Sequence, residues 1–195
     1  MTDHPAAPDL SAKPVLLGER VRLEPLGPEH VDDLLGMVTD PALDRLTGTH
    51  TTFTREQLVA WCGSRAEQDD RLDFAVVDPV DGEFLGDLAV NDWDPDNLVA
   101  GLRIALWKQH GRGLGSEALR LVLDHLFDVV GAHRVGLEVV EYNERAVAAY
   151  RKVGFREEGR LRQAWLWDGE RYDVIVMGVL STDRQTGARA VGAGR

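Results

Sequence analysis

Three glycines within five residues, Gly111, Gly113 and Gly115 of "HGRGLGSEAL" (residues 110–119), stand directly ahead of a helix-forming run. That pattern can hold an anion. The first-turn N–H groups of a helix have no intrahelical partner, and the helix dipole favours negative charge there. Glycines let the backbone approach phosphate oxygens with no Cβ in the way. Arg112 can add a charge-assisted bond and Ser116 a hydroxyl. On the glycines alone, the alternative is a plain strand-to-helix turn. A nucleoside-triphosphate loop needs Lys and then Ser or Thr after its last glycine, whereas Ser116 and Glu117 follow Gly115. A dinucleotide loop needs G-x-G-x-x-G, and Ser116 stands where the third glycine should be. An acid on the next strand, Glu138, keeps that reading alive, but the loop lies late and a hairpin follows it rather than further βαβ units.

Other residues offer chemistry at useful spacings. Tyr150 follows Asn143 by seven residues, about two helical turns, so the two share a helix face. A phenol there can protonate or hydrogen-bond a leaving group, or pack in a core; Asn143 can cap the helix, bind a ligand, or do both. Glu138 lies in "HRVGLEVVE" on the face of Gly136 and Val140, opposite Leu137 and Val139. It is a candidate base or a solvated strand carboxylate. Asp87, Asp92 and Glu141 could receive a cationic amine. Trp165 and Trp167 share a strand face and read as packing residues.

The bulk properties narrow the classes. A net charge of −11 over 195 residues argues against nucleic acid and suits cationic ligands. Cys62 is the only cysteine, so no intrachain disulfide and no Cys-based zinc site is expected, and the six histidines form no metal-ligand spacing. No apolar run approaches the ~20 residues of a membrane span, and the N-terminus lacks a signal-peptide core. A cytoplasmic, reduced setting is expected.

The elements that must position these residues are legible in part. "RVRLEPL" alternates as a half-buried strand. Pro28 opens a helix to about Thr39, and "TREQ" at Thr54 is a capping box for a second. "LDFAVVD" and "FLGDLAVNDW" read as a hairpin, and "LVAGLRIALW" as a strand ending at the glycine loop. A helix with a Leu119, Val122, Leu123, Leu126 stripe follows, then the strand "HRVGLEVVE", a helix capped by Asn143, and a closing hairpin across Asp168 and Gly169. The order β-α-α-β-β-β-α-β-α-β-β predicts an α/β fold with a mixed sheet. Residues 1–14 and 182–195 read as flexible tails around one domain, 15–181.

"HGRGLGSEAL" resembles the R/Q-x-x-G-x-G/A motif of the GNAT acyltransferases, with His110 in the Arg/Gln position and Gly113 and Gly115 as motif glycines. "LEVVEYNERAVAAYRKVGF" is similar to that superfamily's second signature, in which a strand leads to Asn, a helix and Tyr-x-x-x-Gly-Phe. "GERVRLEPLGPEHVDDLL" and "REEGRLRQAWLWDGERYDVIVMGVL" are similar to the branch containing the ribosomal-protein N-terminal acetyltransferases. The resemblance covers about residues 16–181. It implies a single-domain GNAT fold: a mostly antiparallel sheet with a splayed strand pair and flanking helices. It implies acetyl-CoA as co-substrate, its pyrophosphate on Gly111, Arg112, Gly113, Leu114, Gly115 and Ser116. The pantetheine arm would then line the strand edge at Ile104, Ala105 and Leu106 and reach Asn143. Tyr150 would serve the leaving sulfur and Glu138 would act as base, with no metal. The implied activity is direct acetyl transfer to a primary amine, on a protein N-terminus or a small molecule, and a homodimer is compatible with it. A CoA-binding sensor domain without turnover is the alternative of a different class, and a dinucleotide-binding protein a weaker one. Nucleic-acid and membrane partners are not expected.

Overall fold

A computed structural model describes residues 8–48, 51–107 and 112–183. In chain order its elements are β1 (Leu16–Leu17), β2 (Arg22–Pro25), α1 (Val31–Val38), α2 (Pro41–Thr47), α3 (Arg55–Gly63), β3 (Leu72–Val77), β4 (Phe84–Asp94), β5 (Val99–Leu106), α4 (Leu114–His125), β6 (Arg134–Val140), α5 (Glu144–Lys152), β7 (Arg156–Trp167) and β8 (Glu170–Leu180). The strands form one sheet in the order β1-β2-β3-β4-β5-β6-β8-β7. Every neighbouring pair is antiparallel except β5 with β6. That pair is parallel because α4 carries the chain back across the sheet between them, a crossover that no tight turn can replace. The expected α/β architecture, a mostly antiparallel sheet with flanking helices, is what the chain adopts.

Strand alternation sends side chains to two cores. Phe74, Val76, Leu88 and Leu102 meet the apolar stripe of α4 at Leu119, Val122 and Leu123 on one face of the sheet. Ala75, Val77 and Phe84 meet Leu34 and Met37 of α1 and Leu58 and Cys62 of α3 on the other. β3 is therefore buried along its whole length, which is why "LDFAVV" is nearly continuous in apolar residues. The capping box forms as expected: Gln57 N–H donates to Thr54 Oγ1 at 3.3 Å and Thr54 N–H to Gln57 Oε1 at 2.8 Å. The β7–β8 turn has positive φ at both Asp168 (50°) and Gly169 (79°), the backbone of a two-residue hairpin turn that matches strand twist.

Two expectations are corrected. Among the described residues three α-helices, not two, precede β3. The unanticipated α2 is specified by Asp40, whose carboxylate accepts the Ala42 N–H at 2.9 Å, and by Pro41 at the first helical position. It buries only Leu43 fully, so no apolar period announced it. The N-terminal tail also ends earlier than residue 14. Leu10 is 1% exposed in the core; its N–H donates to the Asp69 carbonyl, and Trp93 Nε1 donates to the Pro8 carbonyl at 2.9 Å. Lys13 Nζ donates to three carbonyls, of Leu10, Gln68 and Arg71. One leucine and one lysine anchor a stretch whose composition reads as solvent-exposed. Of the C-terminal tail, residues 184–195 lie outside the described residues.

Candidate active site

The anion-binding turn takes its shape from Gly113, which caps α4 in the left-handed conformation at φ 78°. A side chain there would be strained, and its Cβ would stand 3.2 Å from an Arg20 guanidinium nitrogen. The first helical bond runs from the Glu117 N–H to the Gly113 carbonyl at 3.1 Å. The N–H groups of Leu114, Gly115 and Ser116 precede it, at the positive end of the helix dipole. Glu117 sits in that same first turn, where its charge would oppose an anion. Arg20 answers it: its Nε donates to Glu117 Oε2 at 2.7 Å and its backbone N–H to Oε1 at 2.8 Å. Burial alone would raise the Glu117 carboxyl, but these hydrogen bonds outweigh it and hold it below its ordinary value. Arg20 Nη1 also donates to the Arg112 carbonyl at 2.7 Å, so a loop acceptor is already engaged. Gly111, expected in the loop, lies outside the described residues.

Beside this turn the sheet parts. β5 and β6 pair at three positions only, Val99 with Arg134, Ala100 with Val135 and Gly101 with Gly136. Beyond them residues 102–106 of β5 have no β6 neighbour. Their backbone groups on that side need another partner. The gap opens into a cleft of about 1130 Å³. Ile104, Ala105, Leu106, Arg112, Gly113, Leu114, Gly115, Ser116, Glu138, Asn143 and Tyr150 all line it, so the structure brings together the described residues assigned to the co-substrate, the leaving sulfur and the base.

The polar groups in the cleft differ in setting. Tyr150 is 7% exposed and its ring meets Phe155 edge-on, with centroids 5.8 Å apart. Its hydroxyl makes no hydrogen bond among the described residues, and burial pushes it up to about 12. Asn143 Oδ1 accepts the Ala146 N–H at 3.2 Å, an N-cap that leaves the amide nitrogen uncommitted among the described residues. Glu138 is exposed on the β6 wall. Of the three acids considered for an amine, only Asp87 lines the cleft. Glu141 instead accepts the Asp173 N–H at 2.9 Å and faces Arg160 at 3.4 Å, so it is occupied in holding β6 to the closing hairpin. Burial pushes Asp87 up to about 6, with Arg103 pulling it down and Asp73 adding to the rise.

Sequence reasoning missed the contacts that tie α2 to the sheet beside the cleft. Trp165 lines it, and its Nε1 donates to the Tyr142 hydroxyl at 3.0 Å. That hydroxyl donates in turn to the Arg45 carbonyl of α2, and the Arg45 guanidinium lies 4.7 Å over the Tyr142 ring. Trp107 Nε1 donates to Asp40 Oδ2 at 2.9 Å, tying the α2 cap to the end of β5. These partners are separated by 97 and 67 residues, so no local pattern could have shown them.

A glycine-shaped helix N-terminus at the mouth of a parted parallel pair defines a class: enzymes that lay an extended, phosphate-bearing co-substrate into a split sheet. Residues 20–156 match the family model of the acetyltransferase (GNAT) domain. The chain belongs to this family and is a GNAT-type N-acetyltransferase. It is 25% identical over 163 residues to the SPbeta prophage-derived uncharacterized N-acetyltransferase YokL of Bacillus subtilis, covering 83% of this chain and 90% of that one. A GCN5-related N-acetyltransferase from Brucella melitensis superposes with a TM-score of 0.74 at 28% identity, over 91% of this chain and 83% of that one. The fold is also that of a spermidine N-acetyltransferase from Vibrio cholerae solved with CoA and spermine, with a TM-score of 0.80 at 20% identity over 86% and 99% of the two chains. The family uses acetyl-CoA as co-substrate. Among the described residues there is no His/Cys/Asp/Glu group that could hold a metal ion, and no helix long and apolar enough to cross a membrane.

Proposed function

We propose that this protein transfers the acetyl group of acetyl-CoA directly to a primary amine in a ternary complex. The observation that carries this reading is the parting of β5 from β6 after Gly101 and Gly136, beside the N-terminus of α4. The open β5 edge at residues 102–106 suits the amides of the pantetheine arm, and a backbone N–H there can polarise the thioester carbonyl. The turn at Gly113, Leu114, Gly115 and Ser116 suits the pyrophosphate.

Within this reading Tyr150 donates a hydrogen bond to the departing sulfur rather than a proton. An ordinary thiol titrates near ~8.5, whereas Tyr150 is pushed up to about 12. The phenol therefore keeps its proton in the resting site. A hydrogen bond to developing negative charge needs no proton transfer. The amine proton goes to a carboxylate, and Glu138 on β6 and Asp87 on β4 both line the cleft. The acceptor is a protein N-terminus or a small-molecule amine, and likeness to a spermidine N-acetyltransferase supports a polyamine among the small molecules. A cytoplasmic setting goes with this co-substrate.

The test pairs binding with turnover. Acetyl-CoA at 100 times its Kd should stabilise the protein by about 2.7 kcal/mol, and an amine panel should give thiol release with a matching one-acetyl mass gain on the acceptor. No thermal shift with acetyl-CoA would overturn the reading. A shift without thiol release from any amine would reduce the protein to a CoA-binding module.

A further inference from the structure

We propose that Asp87 is the group that first binds the acceptor ammonium and then takes its proton. The assignment rests on the acyl-transfer reading above. Asp87 stands in the middle of β4, directly opposite Ala75 of β3 and Ala105 of β5, with Ala89 two residues on along the same face. Alanines stand directly across from the carboxylate on both sides, Arg103 opposite Ala89 is its diagonal neighbour on the same face, and Asp87 lines the cleft. The facing helices offer it apolar side chains, among them Met37 and Trp61.

No hydrogen bond or ion pair to another side chain engages Asp87 among the described residues. The charged groups on the surrounding strands are Arg103 on β5, Glu138 on β6 and Asp73 on β3, and Asp44 reaches the cleft from α2. Asp73 is already held by Arg71, whose Nη2 lies 2.6 Å from its Oδ1. Against its burial Asp87 has the attraction of Arg103 and a backbone hydrogen bond but no side-chain hydrogen bond, and a cationic ligand in the cleft adds the closer partner. Such groups, perturbed by burial inside a cleft, are candidates for acid–base work. The register adds a reason of position: Asp87 is paired with Ala105, within the stretch of β5 that β6 leaves open. An amine held at Asp87 therefore lies beside the strand that would carry the thioester.

The step balances. The Asp87 carboxylate takes one proton from R–NH3+, leaving a neutral amine. Its lone pair forms the C–N bond at the thioester carbonyl carbon, and the C–S bond breaks with its electron pair going to sulfur. A second nitrogen proton ends on sulfur to give the thiol, the third stays on the amide nitrogen, and Asp87 returns its proton to water. One proton is released per acetylation.

The experiment measures the pH profile of kcat/KM for thiol release in the wild type, Asp87→Asn and Glu138→Gln, with an acetyl-CoA thermal shift as the check on folding. Asp87→Asn should keep the acetyl-CoA shift while the rate falls at least 100-fold, the range of a lost general base. The wild-type profile should show an acidic limb near pH 6, absent from Asp87→Asn and at the same pH in Glu138→Gln. An Asp87→Asn profile that keeps rate and limb, or a limb that disappears in Glu138→Gln, would overturn the assignment alone. A wild type that releases no thiol with any amine would overturn the acyl-transfer reading and this assignment with it.

Discussion

Replacing Asp87 by Asn removes a charge and almost no volume, and the fold should become more stable for it. Burial raises this carboxyl from 3.8 to about 6, roughly two units at 1.36 kcal/mol each. The ionised form thus strains the folded state by at most about 3 kcal/mol, a ceiling because water reaches the group through the cleft. The sign follows from proton uptake. Below about pH 4 Asp87 is protonated folded and unfolded, and it contributes no strain. As pH rises from 4 to 6 the unfolded chain gives up the proton that the fold still holds, and stability falls. Above pH 6 the full cost is present. Asp87→Asn should therefore melt with the wild type near pH 4 and above it at pH 8. At ~2–4 °C per kcal/mol for a domain of this size, the gap at pH 8 is up to roughly 10 °C. Thermal unfolding of both proteins at pH 4, 6 and 8, without ligand, measures it. Equal melting at pH 8, or a gap independent of pH, would refute the premise that burial outweighs the groups that favour this carboxylate's charge.

Three other substitutions probe separate parts of the site. Tyr150→Phe removes a hydroxyl with no partner among the described residues while keeping the ring on Phe155; kcat for thiol release should fall about 10- to 100-fold, the worth of one hydrogen bond to charge, with the melting temperature unchanged. Gly113→Glu sets a strained carboxylate at the helix N-terminus, where φ is 78°, and should abolish the acetyl-CoA thermal shift; retained affinity would mean that the phosphates lie elsewhere. Asp40→Ala loses both the α2 cap and the Trp107 hydrogen bond, and should lower stability in chemical denaturation by about 1–3 kcal/mol.

How far the sequence could be read depended on whether a feature was local. The Thr54 capping box, the Asn143 cap and the Asp168–Gly169 turn each act within four residues, and each was legible. Helix α2 was not, because a cap and a proline specify it while a single buried leucine gives no period. The glycine turn, Asn143 and Tyr150 could be placed on one cleft through a family pattern, since their spacing along the chain is regular. Arg20 could not, and Asp87 could be named only alongside Asp92 and Glu141, with nothing local to separate the three. Arg20 matters through a contact 97 residues away at Glu117. Asp87 matters because its cross-strand neighbours on β3 and β5 are alanines, a fact of register that no single strand carries.

The same register explains how one strand serves three purposes. Leu102 turns into the core under α4, while Ala105 on the opposite face lies beside Asp87. The backbone edge of residues 102–106, freed where β6 departs, points sideways into the gap. A one-residue slip of β5 would exchange the two faces, placing leucine beside Asp87 and arginine in the core. At Gly86 a Cβ would lie 2.1 Å from the Ala105 carbonyl oxygen, so β4 and β5 approach this closely only through glycine. The glycine that permits this approach is thus the immediate neighbour of the carboxylate that depends on the pairing. The carboxylate is set on β4 at the position where its pairing with Ala105 leaves room for it.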